Sequence, residues 1–152
     1  MPARRPDAAQ LAAWRQFLVA HATIVRQLER ELLEERDLPL GWYDVLVQLQ
    51  EAGGKLRMQQ LAVRLLVNKS SLTRVCDRME ELGLVERRSA PDDLRGVLAV
   101  ITRDGRETLR RAAPVHLRGV YRHFARHLSE ADVASLHRVL SKLPALEGDG
   151  GG

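Results

Sequence analysis

Residues 68–105 constrain the fold more than any other stretch of this 152-residue chain. The segment opens Asn68-Lys69-Ser70-Ser71-Leu72-Thr73-Arg74-Val75-Cys76-Asp77-Arg78-Met79-Glu80-Glu81-Leu82-Gly83. Leu72, Val75, Cys76, Met79 and Leu82 recur at helical spacing on one face, and Lys69, Ser70, Thr73, Arg74, Asp77 and Arg78 occupy the other. Asn68 is a suitable N-cap, and Gly83 stops the helix. A short strand over 84–88, a turn over 89–93 and a β-branched strand over 96–101 then read as a hairpin. A polar-faced helix with a basic hairpin behind it is the outline of a recognition helix and a wing, with DNA as the expected partner.

Charge placement agrees. The chain carries 24 basic and 20 acidic residues. Between Lys55 and Arg106 there are 11 basic and 7 acidic residues, a surplus of 11 − 7 = 4, so the remainder, 13 of each, sums to zero. Short hydroxyl side chains and Lys69 at the helix start allow close approach to phosphates, which the helix N-terminus also attracts. Arg74 stands one turn in, where a guanidinium can pair with guanine in a major groove. Arg87 and Arg88 end the first strand. Arg95 opens the return strand two residues after Asp93, a spacing at which the carboxylate can steady an arginine aimed at a minor groove. The competing reading is a surface helix and hairpin with solvated charges and no partner.

The outer parts of the chain differ in kind. A first helix over 7–35 carries Leu11, Trp14, Leu18, His21, Val25, Leu28 and Leu32 at alternating steps of three and four, flanked by Phe17 and Ile24. Asp37 to Gly41 breaks it. A second helix (41–52) presents Trp42, Val45, Leu46 and Leu49, Leu56-Arg57 forms a short bridging strand, and a third helix (58–66) buries Leu61, Ala62 and Leu65. Thr102 caps a fifth helix over 103–128, with Leu109, Ala113, Leu117, Val120 and Phe124 in line and Pro114 inside it. Ser129 to Asp132 forms a capping box for a sixth helix carrying Val133, Leu136, Leu140 and Leu143. The expected class is mainly α with a small β component: a central lobe (41–102), long helical arms (7–35 and 103–144) and a loose tail (145–152). The arm stripes are longer than one small lobe covers, so they call for a partner.

These residues resemble the multiple antibiotic resistance regulator (MarR) family of bacterial transcription factors over 11–143. The likeness is carried by Leu72-Thr73-Arg74, Asp77-Arg78-Met79-Glu80, Gly83-Leu84-Val85, Arg87-Arg88, Asp93, Arg95, Ile101-Thr102 and Gly105. Leu40 to Leu46 adds to it, while Ile101 departs from the commoner leucine. The resemblance implies a winged helix-turn-helix homodimer whose first, fifth and sixth helices interlock and whose lobes meet adjacent major grooves of a pseudo-palindromic operator. By position, Lys69, Ser70, Ser71, Thr73, Arg74 and Arg78 face the groove or its phosphates, and Arg87, Arg88, Asp93 and Arg95 belong to the wing. It further implies a repressor released by a small phenolic or aromatic effector, held near Trp14, His21 and Tyr43. The plainer reading of His21 is a satisfied histidine in a dimer interface. The rival functions are a winged-helix protein-interaction module without DNA binding, and an activator of the same fold.

Other chemistry finds little purchase. The chain has one cysteine, Cys76. It sits on an apolar helix face, where a thiol acts as a small hydrophobe, whereas peroxide-sensing members of the family place theirs in the first helix. His123 and His127 stand one turn apart, a spacing that can bind zinc, but no carboxylate or cysteine is close in sequence; His116 and His137 complete the group. No phosphate loop or nucleophile elbow is present, so neither an enzyme nor a bound cofactor or metal is expected. No apolar run approaches the ~20 residues of a membrane span, and no secretory signal opens the chain. The expected compartment is the cytoplasm, which the absence of disulfides also fits.

Overall fold

The structure is a computed structural model that describes residues 4–144, with backbone alone at 93–95. Six helices and a three-stranded sheet follow the order α1 (Ala8–Arg36), α2 (Leu40–Glu51), β1 (Lys55–Arg57), α3 (Met58–Leu65), α4 (Lys69–Glu81), β2 (Val85–Ala90), β3 (Asp93–Ile101), α5 (Arg103–His123) and α6 (Glu130–Leu140). The expected tail lies outside the described residues.

Local chemistry sets the element ends. Asp7 and Gln10 form a capping box on α1. The Asn68 side chain accepts from the Ser71 N–H (2.8 Å), Thr102 Oγ1 from the Gly105 N–H (3.0 Å) and Ser129 Oγ from the Asp132 N–H (3.1 Å), each satisfying an orphan donor of a first turn. At the end of α4, the Leu84 N–H reaches the Met79 carbonyl (2.9 Å) and the Gly83 N–H the Glu80 carbonyl (3.0 Å), with Gly83 at φ +75°. This is a Schellman stop, for which a glycine is best suited. Leu66 closes α3 the same way at φ +58° without that freedom.

The sheet order is β1-β3-β2, all antiparallel, with Arg57 opposite Leu98 and Arg88 opposite Leu98 on the other side. Two apolar clusters hold the chain. The lobe core joins Val45, Leu46, Leu49, Leu61, Leu72, Cys76, Met79, Val85, Ala99 and Ile101. A second cluster joins Leu28, Leu32, Leu38, Leu40 and Tyr43 to Ala112 and Val115 of α5. Trp42 and Leu109 touch both, so the base of the arms is packed onto the lobe.

Several sequence expectations are corrected. Leu82 is 63% exposed, because it is the C-cap of α4 and no longer keeps helical phase with Met79. The strands reach Ala90 and Asp93, leaving Pro91-Asp92 as the turn, because pairing along β2–β3 overrides the turn-forming composition. α5 ends at His123, followed by a 3-10 turn over Ala125–His127 instead of continuing to 128. The stripe of α1 is divided: Leu28 and Leu32 are buried, whereas Leu11, Trp14, Phe17 and Leu18 are exposed. Leu117 of α5 and Phe124 just after it are exposed too, and α6 buries no residue within this chain.

Candidate nucleic-acid interface

α3 and α4, joined by the tight turn at Leu66-Val67, form a helix-turn-helix whose second helix is anchored by Leu72, Cys76 and Met79. The same 3.6-residue period that sinks these three brings Lys69, Ser70, Arg74 and Arg78 to the outer face, all exposed, with Thr73 half-buried at its margin. Among the described residues, the Lys69, Arg74 and Arg78 side chains have neither an ion pair nor a hydrogen bond, so three cations stand free on one side of one helix. Ser70 Oγ donates to Asn68 Oδ1 (2.8 Å) and Thr73 Oγ1 donates to the Lys69 carbonyl (2.8 Å), which holds the hydroxyls along the first turn.

The hairpin stands beside α4. Between them lies a cleft of about 330 Å³ lined by Arg57, Lys69, Thr73, Arg87, Gly96 and Val97, among others. Strand alternation separates the two arginines that adjoin in sequence. Arg87 shares the face of buried Val85 and turns toward α4, where its guanidinium meets Asp77 (2.5 Å) and Glu80 (3.3 Å). Arg88 lies on the other face and pairs with Glu86 (2.6 Å). At the turn, Arg57 reaches Asp92 (2.6 Å), tying the start of α3 to the wing. The expected Asp93–Arg95 side-chain pairing lies outside the described residues.

Arg57, Asp77 and Glu80 were absent from the sequence-based site. The parity of Arg87 with Val85 was the available signal that its partners sit on α4. Cys76 is buried, and burial pushes its thiol up to about 11, so it is un-ionised near neutral pH and weakly nucleophilic.

The candidate effector residues are dispersed. Trp14 and His21 lie on the exposed half of α1, next to Phe17, with Phe17–His21 ring centroids 6.4 Å apart. Tyr43 is buried in the arm-base cluster with Leu28, about 21 Å along α1 from Trp14 at 1.5 Å per residue. Its ring packs on His116, centroids 4.4 Å apart. His116 Nδ1 is buried without a hydrogen-bond partner among the described residues, and burial lowers its pKa below the usual value. His123 Nε2 meets Glu31 (2.6 Å) across the α1–α5 seam, which supplies in space the carboxylate missing in sequence. His127 Nε2 instead faces the Arg122 carbonyl. Among the described residues no three His, Cys, Asp or Glu groups gather as a metal would need, and no helix is long and apolar enough to cross a membrane.

A helix-turn-helix, a hairpin wing and long flanking helices define a winged helix-turn-helix protein of mainly α class. A MarR family model matches residues 36–96. The transcriptional repressor IacR of Pseudomonas putida is 30% identical over 120 residues, which cover 79% of this chain and 70% of that protein. Two Streptomyces coelicolor MarR family regulators have similar solved structures. Sco3205, solved in complex with DNA, is 31% identical with a TM-score of 0.85, covering 91% of this chain and 88% of its own. AbsC is 36% identical with a TM-score of 0.84, covering 91% and 94%. The chain belongs to the MarR family of transcriptional regulators.

Proposed function

We propose that this protein is a homodimeric repressor that binds a pseudo-palindromic duplex through α4 and the wing and is released by a small aromatic or phenolic effector. The observation that carries the DNA reading is the free cationic face of α4, Lys69, Arg74 and Arg78, beside the hairpin. Ser70, Ser71 and Thr73 lie along the first turn to approach phosphates, and Arg74 is placed to read a base edge. Arg88 adds to this surface, and Asp93 and Arg95 are assigned to it by their sequence position in the wing. Half-sites about 10 bp apart would fit a two-fold dimer. Support for the sign of regulation comes from IacR, a named repressor, and for the partner from the DNA complex of Sco3205.

Support for the homodimer comes from the exposed apolar residues of the arms, Leu11, Trp14, Phe17 and Leu18 on α1, Leu117 and Tyr121 on α5, and Phe124 just after it. Large exposed apolar patches of this kind mark interaction surfaces. For the effector, the Tyr43–His116 pair at the arm base offers an aromatic wall and an unpartnered ring nitrogen suited to a phenol or carboxyl group. Trp14 and His21 would approach such a site only as part of the arm that the second copy covers. A ligand there releases DNA to the extent that it prefers arm and lobe positions that no longer fit adjacent grooves.

A selected duplex should bind with steep salt dependence, log K falling by about 0.9 per log unit of salt for each phosphate neutralised. Arg74→Ala should lose about 1–3 kcal/mol on the selected duplex and less on a scrambled one. Equal losses on both would remove Arg74 from base reading, and salt-insensitive binding would remove DNA as the partner. For the effector, hydroxybenzoates titrated against the protein–duplex complex should release wild type, while His116→Ala keeps the duplex and resists release.

A further inference from the structure

We infer that Arg87 is a positioning residue, which fixes the angle between wing and recognition helix instead of contacting DNA itself. This rests on the reading of α4 and the hairpin as the DNA-binding surface.

Arg87 is attached to α4 at three points. Its N–H donates to Glu80 Oε2 (2.6 Å), and its guanidinium reaches Glu80 Oε1 (3.3 Å) and Asp77 Oδ1 (2.5 Å). Asp77 and Glu80 stand three residues apart on α4, one turn of helix, and together form a fork into which the guanidinium fits. One carboxylate thus grips both the backbone and the side chain of the same β2 residue. The Arg87 side chain is mostly covered, at 26% exposure, in contrast with the exposed Arg74 and Arg78. Its hydrogen bond to Glu80, with Asp77 beside it, holds the Arg87 guanidinium still more firmly protonated than usual, and the same bonds hold the Glu80 carboxyl below its ordinary range.

The placement gives this fork a purpose. β2 leaves α4 through the three-residue stop at Leu82-Gly83-Leu84, which by itself sets where the strand begins and not how it lies along the helix. Val85 is buried beneath the start of the strand. From Arg88 onward β2 is exposed until Ala90, and its outer ion pair with Glu86 stays within the strand. Arg87 is therefore the last point before the tip at which β2 is pinned to α4 by charge. The β1–β3 pairing and the Arg57–Asp92 pair also hold the wing; without the fork its angle to α4 would be looser, and ordering it on DNA would cost binding free energy. The arrangement also gives a role to two carboxylates beside a surface meant for phosphates: Arg87 offsets one of their two charges and is itself held by both.

The sign of one mutational effect separates positioning from direct contact. If Arg87 bound a phosphate, Asp77→Asn and Glu80→Gln would remove nearby repulsion and free the arginine, so duplex affinity would rise. Under the positioning role both substitutions weaken the selected duplex although each removes one negative charge. Arg87→Gln weakens it by about tenfold, the order of one charge-assisted hydrogen bond. Combining Arg87→Gln with Asp77→Asn and Glu80→Gln then costs less than the sum, because the groups act as a unit. Arg87→Lys, which keeps the charge and can reach one carboxylate, should recover part of the loss. Amide hydrogen exchange on the free protein supplies a readout without DNA: β2–β3 amides near the turn should exchange faster in Arg87→Gln and in the double carboxamide variant, while the α1–α5 seam stays protected. Tighter or unchanged duplex binding by the carboxamide variants, or unaltered exchange in the hairpin, would overturn the inference. Salt-insensitive wild-type binding would instead strike at the DNA reading, leaving the exchange result to judge the clamp alone.

Discussion

The lobe and the arms solve the same packing problem in opposite ways. In the lobe, short elements close on one core, and the outer face of α4 carries cations and hydroxyls. In the arms, long helices bury one end only, at Leu28, Leu32, Ala112 and Val115, and leave large apolar side chains outside. The contrast is chemical. A surface of free charges selects a polyanion, and a surface of Trp14, Phe17, Leu117 and Tyr121 selects another apolar surface. One chain thus presents two surfaces of unlike chemistry.

The largest effect should come from breaking the arms alone. Trp14→Glu with Leu117→Glu should give a monomer by light scattering, with the lobe still folded by circular dichroism. Operator affinity should fall by about 100-fold or more as the two lobes lose their linkage. A dimer that persists would place the interface elsewhere.

The two joints of α5 should then respond unequally. A Cβ on Gly105 would lie 2.2 Å from the Leu84 carbonyl oxygen, where Thr102 Oγ1 also donates to the Gly83 (2.6 Å) and Leu84 (3.0 Å) carbonyls. Backbone cannot yield there, so Gly105→Ala should cost about 3 kcal/mol in urea unfolding. A Cβ on Gly119 would meet Leu28 Cδ2 at 2.7 Å and Glu31 Oε2 at 2.8 Å, both ends of side chains that can shift. Gly119→Ala should cost about 1 kcal/mol and fall on the α1–α5 seam. The reverse ranking would mean that the arm joint, not the lobe joint, is the rigid one.

Acid should loosen the arms before the lobe. His116 is held neutral by burial, its pKa below the usual 6.5, so the unfolded chain takes up its proton first. Stability from this group is present above pH 6.5 and begins to fall just below it. Burial alone would raise the Glu31 carboxyl, but His123 and Arg122 outweigh it and hold Glu31 below the usual 4.5. Glu80 is held below the same value by Arg87. For both carboxylates the stabilisation is present above pH 4.5 and is lost as pH falls through the lowered values. Hydrogen exchange from pH 7 to 4 should show the α2–α5 contact weakening first, and His116→Gln should remove that early step. Simultaneous loss in lobe and arms would contradict it.

The smallest change concerns Leu66, exposed and left-handed at the turn between α3 and α4. Leu66→Gly should stabilise the lobe by up to about 1 kcal/mol in urea, as relief of a left-handed side chain exceeds the entropy added to the unfolded state.

Much of this fold was legible because its punctuation is local. Asn68, Thr102 and Ser129 cap helices through atoms three residues away, and Gly83 stops α4 through its own backbone, so residue type and spacing suffice. Leu82 was misread because periodicity says which residues share a face and not where the helix lets go. Of the candidate site, the free cations of α4 followed directly from helical phase. The adjoining Arg87 and Arg88 looked alike in sequence, and only the strand's parity and the carboxylates of α4 divided them.

By itself, the sequence determined the order of elements, their caps, the polar face of α4 and the apolar stripes of the arms, since each depends on groups within a few residues of one another. Tertiary structure decided what each charged or apolar group meets. It engaged Arg87 and left Arg74 free, placed Glu31 against His123 across 92 positions, and split the stripe of α1 into a buried half and an exposed one. Those outcomes depend on distances between segments far apart in the chain, and such distances exist only after the cores have formed.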